Sequence, residues 1–436
     1  MNIEISYRLG SAYGNSLRHG STIAISRDVR PSSETLLNAF VDGFLSSGKS
    51  IIDIGTAPSP LLYFITRHHG LAGGVMVTAS HLASNWNGFK FCDSTGIVIS
   101  DGTGLERIRS EFEIENRTCN VVQGNIKRYN GSAIEYAEYI TSLVHPHSTL
   151  SIVFDFGNSV TSVVVPTIMN ILGLKFIAIN DALDGVAPNR ASELTADSLS
   201  GLRKAVLETG SSLGIAYDGD GDRVGFVDEL GNSYISGNQV IPIFTENLMG
   251  KNGKRKIVLD ASCSSSVSEF IKSKGGIPVV VRTGHSFCAH EVMKQGALFG
   301  GQYSGHYSFP DMGCADDAIF ASIKMIEILS KGSKLNELNQ FIPKYYASQM
   351  VEIPCDDNTK FQIVNEVKKK AKEMDFETDQ TDGVKIFSTD KDGWVLIRAS
   401  NTSPVIRINS DAKSREFVEH LLSFGVNMVK EVIINH

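Results

Sequence analysis

The stretch Thr22-Ile23-Ala24-Ile25-Ser26, followed by Arg27-Asp28 and the turn Pro31-Ser32-Ser33, decides the fold. Beyond it come a helix pattern to Ser46, a stop at Gly48 and a second apolar run from Ile51 to Ile54. A β-branched run, a polar turn that can cap a helix, an amphipathic helix, a glycine stop and another apolar run make a βαβ unit. The plan recurs. Ser151-Ile152-Val153-Phe154 leads through Asp155 and Gly157-Asn158-Ser159 into a helix pattern to Leu172, then Gly173 and a strand from Lys175 to Ile179. Lys256-Ile257-Val258-Leu259 leads through Asp260 and Ser262 to Ser266 into a helix to Lys274, then Gly275-Gly276 and a strand from Ile277 to Val281.

Units of this kind build mixed or parallel sheets covered by helices. Three copies predict three related α/β domains. The remainder reads differently: a strand from Met350 to Ile353, a Lys-rich helix near Thr359 to Lys372, strands Gly383 to Phe387 and Gly393 to Arg398, and a closing helix over about Lys413 to Ile433. That is a smaller α+β domain. The expected divisions are 1–125, 126–240, 241–345 and 346–436, which suits 436 residues at roughly 100–200 per domain.

Composition narrows the class. Hydrophobic residues make up 42%, enough for packed cores, and Lys plus Arg (41) against Asp plus Glu (48) gives a net charge of −7. A mild acidic excess gives no general reason to bind nucleic acid or an anionic membrane. Six cysteines, at 92, 119, 263, 288, 314 and 355, form no CxxC pair and read as reduced thiols of a cytoplasmic protein. The opening Met1-Asn2-Ile3-Glu4 lacks a basic stretch followed by an apolar core, so no signal peptide is expected. The longest apolar stretch, Val163 to Leu174, contains Pro166 and is too short to span a bilayer.

Four loops carry chemistry. Thr78-Ala79-Ser80-His81 follows a strand, with Asn87-Gly88-Phe89-Lys90 close behind. A serine at a strand end is pinned and exposed, and a nearby His or Lys can move its proton; the alternative is an ordinary loop with a capping serine. Asp218-Gly219-Asp220-Gly221-Asp222-Arg223 alternates carboxylates that can converge on one hard cation with glycines that let the backbone wrap it. The alternatives are a solvated acidic turn or an EF-hand, and Glu229 falls out of register for the latter. Gly300-Gly301-Gln302-Tyr303-Ser304-Gly305-His306 could bring hydrogen-bonding groups against sugar hydroxyls, or be a plain turn. Arg398-Ala399-Ser400-Asn401-Thr402-Ser403-Pro404, with Arg407 beyond, suits a phosphate dianion, or is a hairpin turn with surface arginines.

In this order the loops resemble the α-D-phosphohexomutase superfamily, in particular its phosphomannomutase/phosphoglucomutase group, whose loops read T-x-S-H-N-P…N-G-x-K, D-G-D-x-D-R, G-E-x-S-G-H and R-x-S-N-T-E-P-x-x-R. Arg27-Asp28-Val29-Arg30-Pro31-Ser32-Ser33, Thr56-Ala57-Pro58-Ser59-Pro60 and Arg282-Thr283-Gly284-His285 share in the likeness, which runs from about residue 5 to the C-terminus. The resemblance implies three α/β domains and a smaller fourth around a central cleft. It implies a phosphoserine at Ser80, and Mg²⁺ held by Asp218, Asp220, Asp222 and an oxygen of phosphorylated Ser80. Lys90 is implied as general acid/base, with His81 and Arg223 assisting. Gln302 and Ser304, with His306 beside them, are implied at the sugar hydroxyls. Arg398, Ser400, Asn401, Thr402 and Arg407, with Arg282, are implied at the phosphate that is not transferred. The implied reaction interconverts hexose 1-phosphate and hexose 6-phosphate of mannose or glucose, with hexose 1,6-bisphosphate as intermediate and activator. The alternatives are a phosphoglucosamine mutase, or a paralogue that binds sugar phosphate with little turnover.

The chain departs from the pattern at Leu82-Ala83, where the family has Asn-Pro, at Gln302 for Glu, and at Ser403 for the Glu before Pro404. The family's opening strand and Gly-rich arginine loop have no counterpart. Two expectations follow: impaired turnover or a start upstream of Met1, and a bared sheet edge through which the first domain forms a homo-oligomer. Arg27 or Arg30 is the candidate replacement cation.

Overall fold

In the computed structural model of the chain, residues 1–114, 124–147, 150–250, 254–340, 342–400 and 403–434 are described. Four sheets follow one another along the chain. In the first, Thr22–Arg27 lies parallel between Ser50–Thr56 and Gly73–Val77. Phe89–Asp93 returns antiparallel on Gly73–Val77, and Ile126–Arg128 adds a parallel edge to Ser50–Thr56. This last strand carries the first sheet past residue 125, beyond the expected division.

The second sheet repeats the plan. Ile152–Asp155 lies parallel between Phe176–Ile179 and Leu213–Tyr217, and Val224–Asp228 returns antiparallel. In the third, Lys256–Asp260 lies parallel between Ile277–Val281 and Phe299–Gly301, and Tyr307–Ser308 returns antiparallel. Three mixed sheets on one plan bear out the repeat. The fourth sheet is antiparallel throughout, with Gly393–Ala399 against Val405–Ala412 at its centre. Two helices, Lys360–Glu373 and Arg415–Ile434, pack on it around a separate apolar core that includes Val367, Val395, Ile408 and Val429.

Local chemistry fixes the helices. Asn2 accepts the Ile5 N–H to start the helix Ile3–Ser16, and Ser264 and Asp317 cap the helices Ser265–Ser273 and Ala318–Leu329 in the same way. The second unit departs from the single helix expected up to Leu172. A 3₁₀ turn, Val160–Val163, comes first, and the α-helix is only Val165–Ile171. Pro166 explains the break, since without an N–H it is tolerated only in a first turn. The helix Ile3–Ser16 lies against Ser33–Leu45 so closely that a Cβ on Gly10 would sit 2.0 Å from the Phe40 carbonyl oxygen, and one on Gly43 1.9 Å from that of Tyr7. One continuous core runs through the first three sheets, from Leu61 and Phe64 through Phe154 and Tyr217 to Phe244, Phe299 and Phe320. Among the described residues no helix is long and apolar enough to cross a membrane.

In each of the three mixed sheets a strand and its antiparallel return are joined by a turn that carries one of the loops. Residues 78–88, 218–223 and 302–306 are therefore equivalent turns in three sheets, while in the fourth Ser400 and Ser403 lie between the strands Gly393–Ala399 and Val405–Ala412.

Candidate active site

Ser80 lies in the turn after the strand Gly73–Val77, in a left-handed conformation, φ 48°, and is 7% exposed. Thr78 fixes this turn by accepting the Ser80 N–H at 2.9 Å. The Ser80 hydroxyl donates to Asp218 Oδ2 at 2.8 Å, across 138 residues of sequence. The loop bearing Asp218 reaches Ser80 because Gly219 has no side chain: a Cβ there would lie 2.4 Å from the Ser80 carbonyl oxygen.

Asp218, Asp220 and Asp222 are fully buried and each offers an oxygen within 4.8 Å of the others. Three anions at that spacing repel strongly in a low dielectric. Lys90, from the return strand of the first sheet, relieves part of this by donating to Asp220 Oδ2 at 2.6 Å and Asp222 Oδ2 at 2.5 Å. Burial opposes the charge on Lys90, but Asp220 and Asp222 outweigh it and hold the ammonium well above its ordinary range. Asp218 has no lysine, and burial, then Asp222 and Asp220, push its carboxyl up. Burial also opposes the Asp222 charge, but Lys90 and His306 outweigh it and hold that carboxyl down. Ser59 joins from the first domain, its hydroxyl donating to Asp220 Oδ2 at 2.5 Å and its N–H to the Asp220 carbonyl at 2.9 Å. Asp220 Oδ1 remains buried with no hydrogen-bond partner among the described residues. Hard carboxylate oxygens, surplus negative charge and an unpartnered acceptor fit a divalent cation such as Mg²⁺.

Arg223 donates to His81 Nδ1 at 2.7 Å. That nitrogen must then be unprotonated, and burial, followed by Arg223, pushes His81 down to about 3. His81 Nε2 faces Glu193 at 3.5 Å. His81 therefore stays neutral at neutral pH, with its single ring proton on Nε2 and its Nδ1, which holds Arg223, 3.4 Å from Ser80 Oγ.

The third loop closes against the second: Val224 N–H donates to the Gly305 carbonyl at 3.3 Å. His306 Nδ1 lies 2.8 Å from Ser304 Oγ, and its Nε2 lies 3.4 Å from Asp222 Oδ1. His285 stacks on His306 at 5.4 Å and holds Asp316 through Nδ1 at 3.0 Å. Asp222, His285 and His306 form a second group whose ligand atoms fall within 4.8 Å of one another. Gln302 is 2% exposed, and its amide nitrogen has no partner among the described residues.

The comparisons with known proteins agree with this arrangement in order and extent. The chain matches Phosphoglucomutase/phosphomannomutase, alpha/beta/alpha domain I over residues 1–118, domain II over 134–231, domain III over 236–345 and the C-terminal domain over 350–424. It belongs to the phosphoglucomutase/phosphomannomutase family. The chain is 33% identical to a "Probable phosphoglucosamine mutase" of Pyrococcus abyssi, over 99% of its own length and 94% of the relative's. It is 31% identical to a "Phosphomannomutase/phosphoglucomutase" of Pseudomonas syringae pv. tomato, over 97% and 90%. A solved phosphoglucomutase/phosphomannomutase family protein of Burkholderia thailandensis superimposes with a TM-score of 0.87 at 25% identity, covering 99% of this chain and 94% of that one. The mutase is accordingly an isomerase-type phosphotransferase of carbohydrate metabolism.

The described residues beside the fourth loop are anchored. Arg398 and Arg407 face each other across paired strands. Arg398 is 5% exposed; its Nε, 3.7 Å from Asp382, has no hydrogen-bond partner among the described residues. Asp382 in turn accepts the Thr283 N–H at 3.0 Å, which ties the fourth domain to the loop bearing Arg282 and His285. Arg282 itself is exposed and lies over the Phe287 ring, 4.0 Å from its centre. Arg407 is paired with Glu352 at 2.9 Å. Ser400 is buried and accepts the Ser403 N–H. Asn401 and Thr402 lie outside the described residues.

Neither candidate replacement cation faces the reacting centre. Arg27 pairs with Glu34, and Arg30 is wholly engaged with Asp28 and backbone carbonyls. Sequence reasoning assigned no role to Ser59, Thr78 or His285, although Ser59 and His285 lie in tracts that carry the family resemblance.

Proposed function

We propose that this chain interconverts hexose 1-phosphates and hexose 6-phosphates through a phosphoryl group carried on Ser80. The observation that carries the reading is the placement of the Ser80 hydroxyl, 2.8 Å from Asp218, beside a buried carboxylate trio and Lys90. The phosphorus–Oγ bond of phospho-Ser80 breaks as a phosphorus–oxygen bond forms to the free sugar hydroxyl, whose proton passes to a base. The hexose 1,6-bisphosphate turns over in the cleft and its other phosphoryl group returns to Ser80.

Asp218, Asp220 and Asp222 would hold Mg²⁺, which when bound supplies positive charge for the phosphoryl oxygens. Lys90, kept protonated by its carboxylates, donates a proton to a leaving oxygen. His306, between Ser304 and Asp222, is placed to accept the proton of a sugar hydroxyl. Among the described residues the Gln302 amide nitrogen and the Arg398 Nε are buried donors without a hydrogen-bond partner, which suits a sugar hydroxyl and a phosphate oxygen respectively.

Mannose and glucose phosphates are the first reading of the substrate. Glucosamine phosphate is the second, favoured by the name of the Pyrococcus relative. A coupled assay of mannose 1-phosphate, glucose 1-phosphate and glucosamine 1-phosphate, with Mg²⁺ and a hexose 1,6-bisphosphate, separates them. Intact-mass measurement should find one phosphate on the wild-type chain and none on Ser80→Ala. No turnover of any of the three sugars would refute the proposal.

A further inference from the structure

We propose that Arg30 is the positioning residue that holds the Ser80 loop in its reactive shape. The proposal rests on Ser80 as the phosphoryl carrier. Arg30 lies two residues past Asp28, outside the carboxylate trio and the sugar loop, and is 6% exposed. A guanidinium has five N–H donors in a fixed planar fork, and all five are matched here. Nε donates to Asp28 Oδ2 at 3.0 Å. One terminal nitrogen donates to the carbonyls of Ala83 at 2.6 Å and Trp86 at 3.2 Å, and the other to those of Ser80 and Leu82 at 2.7 Å each. Four carbonyls of one loop thus converge on a single side chain, and the first belongs to the nucleophile.

The loop needs such a support. Ser80 is an L-residue at φ 48°, a left-handed conformation that is unfavourable for a residue with a Cβ and persists only where its surroundings impose it. The loop also borders a cavity of about 270 Å³ between the first and second domains, lined by Arg30, Leu82, Ala83, Asn158 and Asp184. Packing therefore leaves room for it to sag, and hydrogen bonds to Arg30 hold it instead. Arg30 is itself backed by the second domain. The chain at Gly185 passes so close to Val29 that a Cβ there would lie 1.9 Å from the Val29 carbonyl oxygen. Support runs from the second domain through the Asp28–Arg30 segment to the Ser80 carbonyl. It fixes the direction of Oγ toward Asp218 without touching substrate.

Arg30→Lys tests this. Lysine keeps the positive charge beside Asp28, so the buried carboxylate is not abandoned, but an ammonium cannot span four carbonyls. Phosphoryl transfer is sensitive to alignment, and a displacement of about 1 Å can cost roughly 10²-fold. After incubation with hexose 1,6-bisphosphate, intact mass gives the fraction of chains carrying phosphate on Ser80. Turnover of whichever of mannose, glucose or glucosamine 1-phosphate the wild type accepts is then expressed per phosphorylated chain. The expected result is kcat per phosphorylated chain reduced about 10–100-fold with KM changed less than about 3-fold. Asp28→Asn, which retains the four carbonyl bonds but loosens the guanidinium, should give a smaller loss of the same kind, and it provides the comparison if Arg30→Lys does not fold. A merely structural role would lower the fraction of competent chains and leave kcat per phosphorylated chain at the wild-type value in both variants; that result overturns the proposal. A wild-type chain that never acquires phosphate on Ser80 overturns the Ser80 reading itself, a separate and recognisable failure.

Discussion

Asp317 should make the stability of the protein depend on pH near neutrality. Its carboxyl caps the helix Ala318–Leu329, accepting the Phe320 N–H at 2.8 Å, and it receives the Tyr136 hydroxyl at 2.8 Å on both oxygens. It lies beyond the return strand Tyr307–Ser308 and the 3₁₀ turn Pro310–Met312, where the third domain meets the helix Ser132–Leu143. Burial dominates and raises its pKa from 3.8 to about 7, although these hydrogen bonds pull the other way. The folded state therefore keeps this proton up to about pH 7, whereas the unfolded chain releases it near pH 4. Between those values the folded state binds more protons, so raising the pH weakens it. The contribution is fully present below pH 3.8 and is lost once the pH has risen through about 7. At about 1.36 kcal/mol per pH unit over about three units, the loss is on the order of 4 kcal/mol. Asp317→Asn keeps an acceptor for the cap and a polar partner for Tyr136, but cannot ionise. The variant should gain on the wild type by that amount from pH 4 to pH 8. At roughly 2.1 cal/mol/K per residue over 436 residues, this corresponds to about 4 °C in Tm if the chain unfolds as one unit. Thermal melts of both proteins across that range give the difference directly, since the other titrating groups are common to both. Parallel pH profiles would falsify the reasoning.

Ser80→Ala should remove several orders of magnitude of turnover while leaving the melting temperature near wild type; retention of more than a few per cent of activity would show that the phosphoryl group travels another way. Gly43→Ala should destabilise by about 1–3 kcal/mol, because its Cβ would meet the Tyr7 carbonyl oxygen at 1.9 Å, even though alanine alone favours a helix by about 1 kcal/mol. A urea midpoint equal to or above that of wild type would contradict the close helix crossing. Gln302→Glu should lower KM for hexose phosphates about five-fold, the worth of about 1 kcal/mol between a charged and a neutral hydrogen bond. Unchanged kinetics on every sugar would remove the position from the site.

Much of this was legible in the sequence because each unit announces itself locally. The runs from Thr22, Ser151 and Lys256 are β-branched and bounded by capping turns, and the structure places strands at Thr22–Arg27, Ile152–Asp155 and Lys256–Asp260. The return strands were harder to see. Tyr307–Ser308 has two residues, too few for any periodicity, and its pairing with Gly300-Gly301 follows from the turn between them. Side-chain identity also conceals contacts with the backbone. Arg30 looks like any arginine after a strand, since its partners are carbonyls 50 to 56 residues away. Ser59 reads as a helix-start serine beside Pro60, and only the fold brings it to Asp220, 161 residues on.

The equivalence of the turns in the three mixed sheets explains how such distant segments can meet in one place. In a parallel arrangement the space beyond the carboxyl ends of the strands is where ligands gather, because loops there are free of sheet pairing and their ends are fixed by it. Each of the three mixed sheets contributes one such turn, with a hydroxyl in the first, carboxylates in the second, and amide, hydroxyl and imidazole in the third, while the antiparallel fourth sheet offers the Arg398 guanidinium from a strand. Specialisation did not leave them independent. Gly219 packs on the Ser80 carbonyl, Val224 bonds Gly305, Ser59 and Lys90 share one oxygen of Asp220, and Asp382 ties the fourth domain to Thr283. These are contacts between domains, and all but the Asp382–Thr283 bond involve a residue within or next to one of those turns. The geometry of the candidate site is thus set by how the domains close on one another as much as by any single loop. Substitutions at Ser59, Gly219 or Asp382 can therefore disturb the chemistry while leaving every residue implied to hold substrate or metal in place.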